Sequence, residues 1–262
     1  MDLGLSGRTA LVLGSGGGIG GGIAEALAAE GAHVACADRN LAAAQACASA
    51  LASSGATARP FAVDLGERQR ERELIAQVQD TLGPVDILVN NTGGPPSSTA
   101  TGVPVETWRV YFESMVASVI HLSDLVLPAM RARGWGRLVT STSSGVVVPI
   151  PMLGISNTLR SALLGWSKTV AREVGPDGVT SNVVVPGRIA TQSAIDRDVL
   201  RAEQQNRTVE EVQHDYLVRI PARRYGTPRE YGDAVTFLAS ARAAYINGAV
   251  LRVDGGMIES IF

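Results

Sequence analysis

The chain is nearly devoid of lysine: of its 23 basic residues one, Lys168, is a lysine and the others are arginine. Lysine chemistry, such as a Schiff base, is thereby confined to a single position. Cysteine is almost as scarce. Cys36 and Cys47 are the only two, too few for a disulfide framework or a cysteine-rich metal centre. Cys36 falls in a predicted strand and Cys47 in a predicted helix, and two reduced thiols are favoured over a disulfide or a metal site. Three scattered histidines, His33, His121 and His214, form no metal-ligand pattern, so no metal is expected. A net charge of −2 gives no basic face for nucleic acid. Long apolar runs are missing too. The longest, 146–155, contains Pro149 and Pro151 and is too short to span a membrane as a helix. Asp2 near the start, with no basic segment ahead of an apolar one, does not read as a signal peptide, and a cytoplasmic protein without a membrane partner is expected.

What the chain does have is apolar mass and glycine. Hydrophobic residues make up 45% of its 262 positions, and 29 are glycine. This is enough for one sizeable core. Strand-like and helix-like segments alternate. Strands are predicted over 9–13, 33–37, 59–63, 85–89, 137–141, 180–185 and 249–253. Helices are predicted over 19–30, 41–53, 67–82, 105–133 with an interruption near Pro128, 155–173 and 231–239. The strands are apolar throughout rather than alternating, as parallel strands buried on both faces are. The rhythm predicts a single α/β domain spanning 1–262, a doubly wound Rossmann sheet of about seven parallel strands. One segment, 192–220, breaks the rhythm. It is polar and helical in character, and it follows the sixth strand at the carboxyl edge where open sheets bind ligands.

Between the first strand and first helix runs Gly14-Ser15-Gly16-Gly17-Gly18-Ile19-Gly20. Gly14 suits a tight turn, Gly18 and Gly20 allow backbone to approach a pyrophosphate, and the helix start supplies N–H groups and partial positive charge. The strand before and the helix after are the context such a loop needs to bind a dinucleotide. No lysine follows Gly20, which excludes a Walker-type phosphate loop. Gly21 and Gly22 each cost a helix ~1 kcal/mol against alanine, so something other than helix propensity places them. Asp38 closes the second strand. A carboxylate there accepts hydrogen bonds from the adenosine ribose and repels a 2′-phosphate, which favours NAD(H). The neighbouring Arg39 keeps NADP(H) open, since arginine pairs with phosphate.

These segments resemble the short-chain dehydrogenase/reductase family. Gly14-x3-Gly18-Ile19-Gly20 is similar to its cofactor loop, and Asp64-Leu65 to its adenine-contacting pair. Asn90-Asn91-Thr92-Gly93 is similar to its Asn-Asn-Ala-Gly turn. Pro186-Gly187-Arg188-Ile189-Ala190-Thr191 resembles its Pro-Gly-x3-Thr segment, and Asp254-Gly255-Gly256 its C-terminal Asp-Gly-Gly. The resemblance extends from about residue 6 to 256 and is strongest to the ketoacyl-carrier-protein-reductase-like group. It implies a nicotinamide-dependent oxidoreductase acting on a small molecule. By the same resemblance the cofactor would lie on Gly14, Ser15, Gly16, Gly18, Ile19, Gly20, Asp38, Arg39, Asp64, Leu65, Asn91, Thr92, Gly93, Arg160, Pro186, Gly187, Ile189 and Thr191. Segment 192–220 would cover the substrate. The helices at 105–133 and 155–173 form subunit interfaces in the family, which implies a homodimer or homotetramer.

The catalytic positions depart from that pattern. The family's substrate-polarising serine falls on Ser143, but its proton-transferring tyrosine falls on Ser156, its lysine on Arg160, and its helix asparagine on or near Met115. No Tyr-x3-Lys exists anywhere, because Leu164 stands four residues before the only lysine. Lys168 lies two turns beyond Arg160, too far to replace the lysine. A tyrosine with its pKa near 10 is drawn toward neutrality by an adjacent cation; a serine hydroxyl is a far weaker acid. Arg160 can hold ribose hydroxyls as a fixed cation but does not deprotonate. The expected catalytic set is Ser143 on the substrate oxygen, Arg160 on the nicotinamide ribose, and Ser156 or water relaying the proton. Tyr111, His214 and Tyr216 are further proton-donor candidates, each more readily read as packing or surface. Five hydroxyls in a row, 140–144, divide between the cleft and local bonding. Two other functions stay open: a cofactor-binding protein or sensor without turnover, and non-redox chemistry. Halohydrin dehalogenases share an arginine at the position of Arg160 but lose the dinucleotide loop, which this chain keeps.

Overall fold

The computed structural model describes residues 1–261. Seven strands, β1 (Thr9–Leu13), β2 (His33–Asp38), β3 (Ala58–Ala62), β4 (Ile87–Asn90), β5 (Gly136–Ser141), β6 (Val179–Pro186) and β7 (Val250–Val253), form one sheet in the order β3-β2-β1-β4-β5-β6-β7. Every pairing is parallel. The single-domain doubly wound sheet expected from the alternating pattern is therefore present. Chain order reverses on either side of β1, and the crevice at that reversal is where such sheets take ligands.

Alternation along the strands divides the core. Val12, Val34, Cys36 and Val89 face α1 (Gly18–Ala29), α2 (Leu41–Ser53) and, on that same side, Tyr231, Val235 and Leu238. Leu11, Leu13, Ala35 and Leu88 face α3 (Arg68–Leu82) and the later helices that carry Leu122, Val126 and Val170. The edge strands β3 and β7 are half-exposed, so the two-sided burial inferred for all strands holds for the five inner ones.

The helix read over 105–133 is not broken at Pro128. Its pieces are α4 (Val105–Phe112), a π-helical turn at Glu113–Ala117, and α5 (Ser118–Ala132), which contains Pro128. Pro128 and Asp124, whose carbonyl loses a donor to the proline, are both exposed, so water satisfies the group and the helix continues. In the π-turn the Ser118 N–H reaches back to the Glu113 carbonyl. By length and composition Val105–Ala132 could cross a membrane. Its Met115, Val119, Leu122, Val126 and Met130 are instead buried in this domain.

The later helices are α6 (Gly154–Val174), α7 (Gln192–Gln205), α8 (Val209–Arg219) and α9 (Pro228–Ala239). Segment 192–220 is thus two helices. The last helix begins three residues ahead of its expected start. Thr227 caps it and Glu230 returns the bond to the Thr227 N–H, a capping box written in the sequence as Thr-x-x-Glu. Gly22 is explained here. A Cβ on it would lie 2.3 Å from the Pro228 carbonyl oxygen, and one on Gly232 would lie 2.2 Å from the Gly22 oxygen. α1 and α9 approach so closely that only hydrogen fits between them.

Candidate active site

The glycine loop leaves β1 at the sheet reversal. Gly14 takes a left-handed conformation (φ +63°), and a Cβ on Gly20 would lie 2.0 Å from the Gly14 oxygen. Turn and helix start are therefore folded onto each other. Ser15 is buried and ties the loop to β2 through its N–H on the Ala37 carbonyl at 3.2 Å. Asp38 receives the Gly16 N–H at 3.0 Å and the Asn40 N–H at 2.9 Å. It fixes loop geometry and caps the approach to α2 at once. Across β1, Asn91 donates to the Leu13 carbonyl at 3.2 Å.

A cleft of about 410 Å³ opens over these groups, lined by Gly14, Asp38, Arg39, Asp64, Leu65, Asn91, Thr92 and Gly93 among others. All eight are among the positions expected to contact a dinucleotide, whereas Ser15, Gly16, Gly18, Ile19, Gly20, Arg160, Pro186, Gly187, Ile189 and Thr191 are not in the lining. The sequence reading missed the cleft's Leu13, Val63, Gly94 and Ser114; the first three adjoin motif residues, the one signal that could have found them. Tyr111 and Met115 share this cleft.

Ser143 follows β5, and Ser156 and Arg160 lie on α6. Ser143 caps the short turn Ser144–Val146, accepting the Gly145 N–H at 3.1 Å, and leaves its own proton free to donate. Asn157 holds the next loop to α6, donating to the Ile150 carbonyl at 2.9 Å. That loop carries Val148 and Met152, both more than half exposed, with Met152 in the left-handed region at φ +60°. A bulky side chain held there is strained, as residues at functional sites often are. Ser156 and Arg160 are one turn apart on α6 and both buried. Arg160 donates to the Thr92 and Gly93 carbonyls at 3.1 and 3.0 Å, its only partners among the described residues. Burial pushes its pKa down from the usual guanidinium value and the nearby Tyr231 phenol pulls it back, yet an arginine so placed remains a cation. Tyr231 is wholly buried, bonded to Ser141 at 2.9 Å and the Val184 carbonyl at 3.0 Å, and burial raises its pKa. It is not available as an acid.

Pro186 and Gly187 pack on the C-terminal turn, the Gly187 N–H meeting the Val253 carbonyl at 2.9 Å. Ile189 is buried, and Thr191 caps α7 while its methyl would lie 3.3 Å from a Cβ on Gly18. The 186–191 motif thus closes onto the glycine loop. Met115, on or near which the family resemblance puts an asparagine, is buried inside the π-turn. Of the other donor candidates, His214 is exposed. Tyr216 accepts from Arg201 at 2.6 Å with Arg188 stacked on its ring at 3.9 Å; both belong to a polar lock with Asp198 and Tyr225 that joins α7 and α8 to the 186–191 loop. His33 stands at the start of β2, and His121 pairs with the buried Glu71 at 2.5 Å, so both are structural. Lys168 donates to the Gly248 carbonyl at 3.0 Å and serves the β7 edge. The hydroxyls of Ser141 and Thr142 bond within the fold, while Ser143 is half-buried and, like Ser156 and Arg160, stands outside the lining of the cleft.

A dinucleotide-binding Rossmann domain with a serine after β5 defines the class. A family model described as enoyl-(acyl carrier protein) reductase matches residues 14–258, and the chain belongs to the short-chain dehydrogenase/reductase family of oxidoreductases. It is 36% identical over 255 residues to the 3-oxoacyl-[acyl-carrier-protein] reductase FabG of Vibrio cholerae, covering 97% of this chain and 98% of that one. It is 31% identical to D-beta-hydroxybutyrate dehydrogenase of Cupriavidus necator, covering 97% and 99%. The crystal structure of L-sorbose reductase from Gluconobacter frateurii with NADPH and L-sorbose superposes with a TM-score of 0.94 at 32% identity over the whole of both chains.

Proposed function

We propose that this chain is an NAD(H)-dependent oxidoreductase that interconverts a carbonyl and an alcohol through an altered proton relay. The observation that carries this is the cleft itself. It collects eight of the residues expected to contact a dinucleotide, and one of them, Thr92, has a buried hydroxyl with no partner among the described residues. A buried hydroxyl without a bond costs about 1–3 kcal/mol, and a ribose or amide group of a dinucleotide would relieve it. The residues present therefore fit the cofactor. Asp38 would take the adenosine ribose, Asp64 and Leu65 the adenine, Thr92, Gly93 and Arg160 the nicotinamide half. Pro186, Gly187, Ile189 and Thr191 would wall the nicotinamide. When bound, the dinucleotide supplies or accepts the hydride.

The protein's part is polarisation and proton movement. Ser143, with its proton free, donates to the substrate oxygen. Arg160 keeps a permanent positive charge next to Thr92 and Gly93 and favours negative charge developing nearby. Ser156, its hydroxyl without a partner among the described residues, passes a proton between substrate oxygen and water. It exchanges one proton for another and need not hold a charge. The apolar Val148 and Met152 suit a partly hydrophobic substrate, and α7 and α8 cover it. NAD(H) is favoured over NADP(H), although the sorbose reductase named above was crystallised with NADPH, because the Asp38 carboxylate would oppose a 2′-phosphate. A homodimer or homotetramer in the cytoplasm completes the reading. Sedimentation should give a mass of two or four chains.

The test is hydride transfer by purified protein, followed by nicotinamide absorbance across a panel of ketones, keto acids and alcohols with each cofactor. Turnover that falls steeply in Ser143→Ala is expected. Binding of NAD(H) by calorimetry with no turnover on any substrate would instead favour a cofactor-binding subunit, a reading that rests on Met115 and Ser156 where relay groups would stand.

A further inference from the structure

We propose that Cys36 and Cys47 form a reversible disulfide whose closure disturbs the Asp38 end of the dinucleotide cleft. They are the only cysteines in the chain, and both are free. The fold nevertheless brings them into contact, Cys36 donating its S–H to Cys47 across 3.8 Å. One lies on β2 and the other on α2, so a bond would lock a strand to the helix that follows it. A sulfur–sulfur bond is about 2 Å long, so closure needs a movement of about 2 Å, shared between side-chain rotation and a small shift of α2. The two sulfurs differ in access. Cys36 is fully buried and Cys47 half-buried, which makes Cys47 the attacking thiol and Cys36 the resolving one. The hydrogen bond from Cys36 lowers the Cys47 pKa against burial and the charges of Asp38 and Glu25, and raises that of Cys36. A lowered thiol is the better thiolate nucleophile.

The oxidant is a low-molecular-weight disulfide. The Cys47 thiolate attacks one of its sulfurs, forms a mixed disulfide and releases one thiolate. Cys36 then gives up its proton, attacks the Cys47 sulfur and releases the second. Two protein thiols become one disulfide, and one small disulfide becomes two small thiols.

The consequence follows from what lies along these two elements. Asp38 is two residues beyond Cys36, and Asn40 caps α2 by accepting the Ala43 N–H at 3.2 Å. Ala43 also borders the glycine loop: a Cβ on Gly16 would lie 2.7 Å from the Ala43 Cβ and 2.8 Å from an Asp38 oxygen. Moving α2 toward β2 therefore presses on the contact between Gly16 and Asp38. The bond itself does not depend on the cofactor reading above; its effect on affinity does.

The test uses the full chain treated with oxidised glutathione. Intact mass should fall by two hydrogens, and non-reducing peptide mapping should link Cys36 to Cys47. The NAD dissociation constant should rise by about fivefold or more, the lower end of coupling between sites, and recover with dithiothreitol. Cys47→Ser and Cys36→Ser chains should form no bond and show no change of affinity on treatment. A stable glutathione adduct on Cys47, or two unmodified thiols, would overturn the bond. A Cys36–Cys47 bond with unchanged affinity would overturn the coupling. The bond forming in a protein that binds no dinucleotide in either state would overturn both the coupling and the cofactor reading while leaving the disulfide standing.

Discussion

Two glycines of the site respond oppositely to the same added methyl, and this separates a ligand requirement from a packing one. A Cβ on Gly20 would lie 2.0 Å from the Gly14 oxygen. Backbone would have to yield by more than 1 Å, an overpacking cost of about 3 kcal/mol, and Tm should fall by about 6–12 °C for a domain of this size. A Cβ on Gly93 meets nothing within 4 Å, and Gly93 lines the cleft. The protein itself has no need of a bare position there. Gly93→Ala should leave the fold intact, or stabilise it by about 0.4–1 kcal/mol through the unfolded chain. If the empty space is where the nicotinamide half lies, the methyl occupies it, and NAD(H) affinity should fall by at least about tenfold, or 1.4 kcal/mol. Differential scanning calorimetry and isothermal titration on the two variants read both effects. A Gly93→Ala protein that binds NAD(H) as tightly as wild type would refute the placement of the cofactor over the Asn91–Thr92–Gly93 turn, and one that unfolds early would refute the packing argument.

Three further outcomes follow from other contacts. Arg160→Met strands the Thr92 and Gly93 carbonyls while relieving a buried charge; a net loss of about 2 kcal/mol, a Tm lower by about 4–8 °C and weakened NAD(H) binding are expected by thermal melting and calorimetry. Asp38→Ala removes the charge that opposes a 2′-phosphate, so the NAD-over-NADP ratio of dissociation constants should narrow by about tenfold, and an unchanged ratio would place discrimination elsewhere. For Glu71, burial acts to raise the pKa, but bonds from Ser118, the Gly66 N–H, His121 and Arg68 outweigh it and hold the carboxyl below its ordinary value. Its stabilisation is present above the unfolded value near ~4.3 and is lost as pH falls through the folded one. Urea unfolding should show Glu71→Gln about 2–3 kcal/mol less stable than wild type at pH 7, with the gap closing below pH ~4.

The inner sheet was legible because parallel strands buried on both faces leave apolar runs punctuated by glycine, as in 9–14 and 33–38. What escaped was structure set by long-range contact. The π-turn at Glu113–Ala117 has no local signature, since a one-residue insertion changes neither propensity nor the apolar face. Pro128 misled because exposure of the freed carbonyl, invisible in sequence, decides whether a helix breaks. Gly22 was visibly out of place in a helix, but its partner Gly232 lies far along the chain. For the site, the turn glycines, Asp38 and the Asn91–Gly93 turn could be placed because each sits at the end of a predicted strand. The contact between Cys36 and Cys47 could not, because helix phase against a strand is set only when both pack on the core.

The glycine loop carries less functional weight than its length suggests. Gly14 and Gly20 are required by the fold whether or not a ligand binds, since the helix start rests on the Gly14 carbonyl. A protein that had abandoned the dinucleotide could keep both. The stronger argument comes from groups the fold does not need in their present form: the bare Gly93, the unpartnered Thr92 hydroxyl and the cation of Arg160 turned onto two carbonyls rather than a carboxylate. Each is costly or idle without a ligand, and all three meet at the turn after β4, which Arg160 reaches from α6. In the mechanism proposed above, neither Ser156 nor Met115 is an acid near neutral pH, and the proton comes from water by way of Ser156. Reaction rates should then depend on solvent access to Ser156, and little on the titration of any protein side chain.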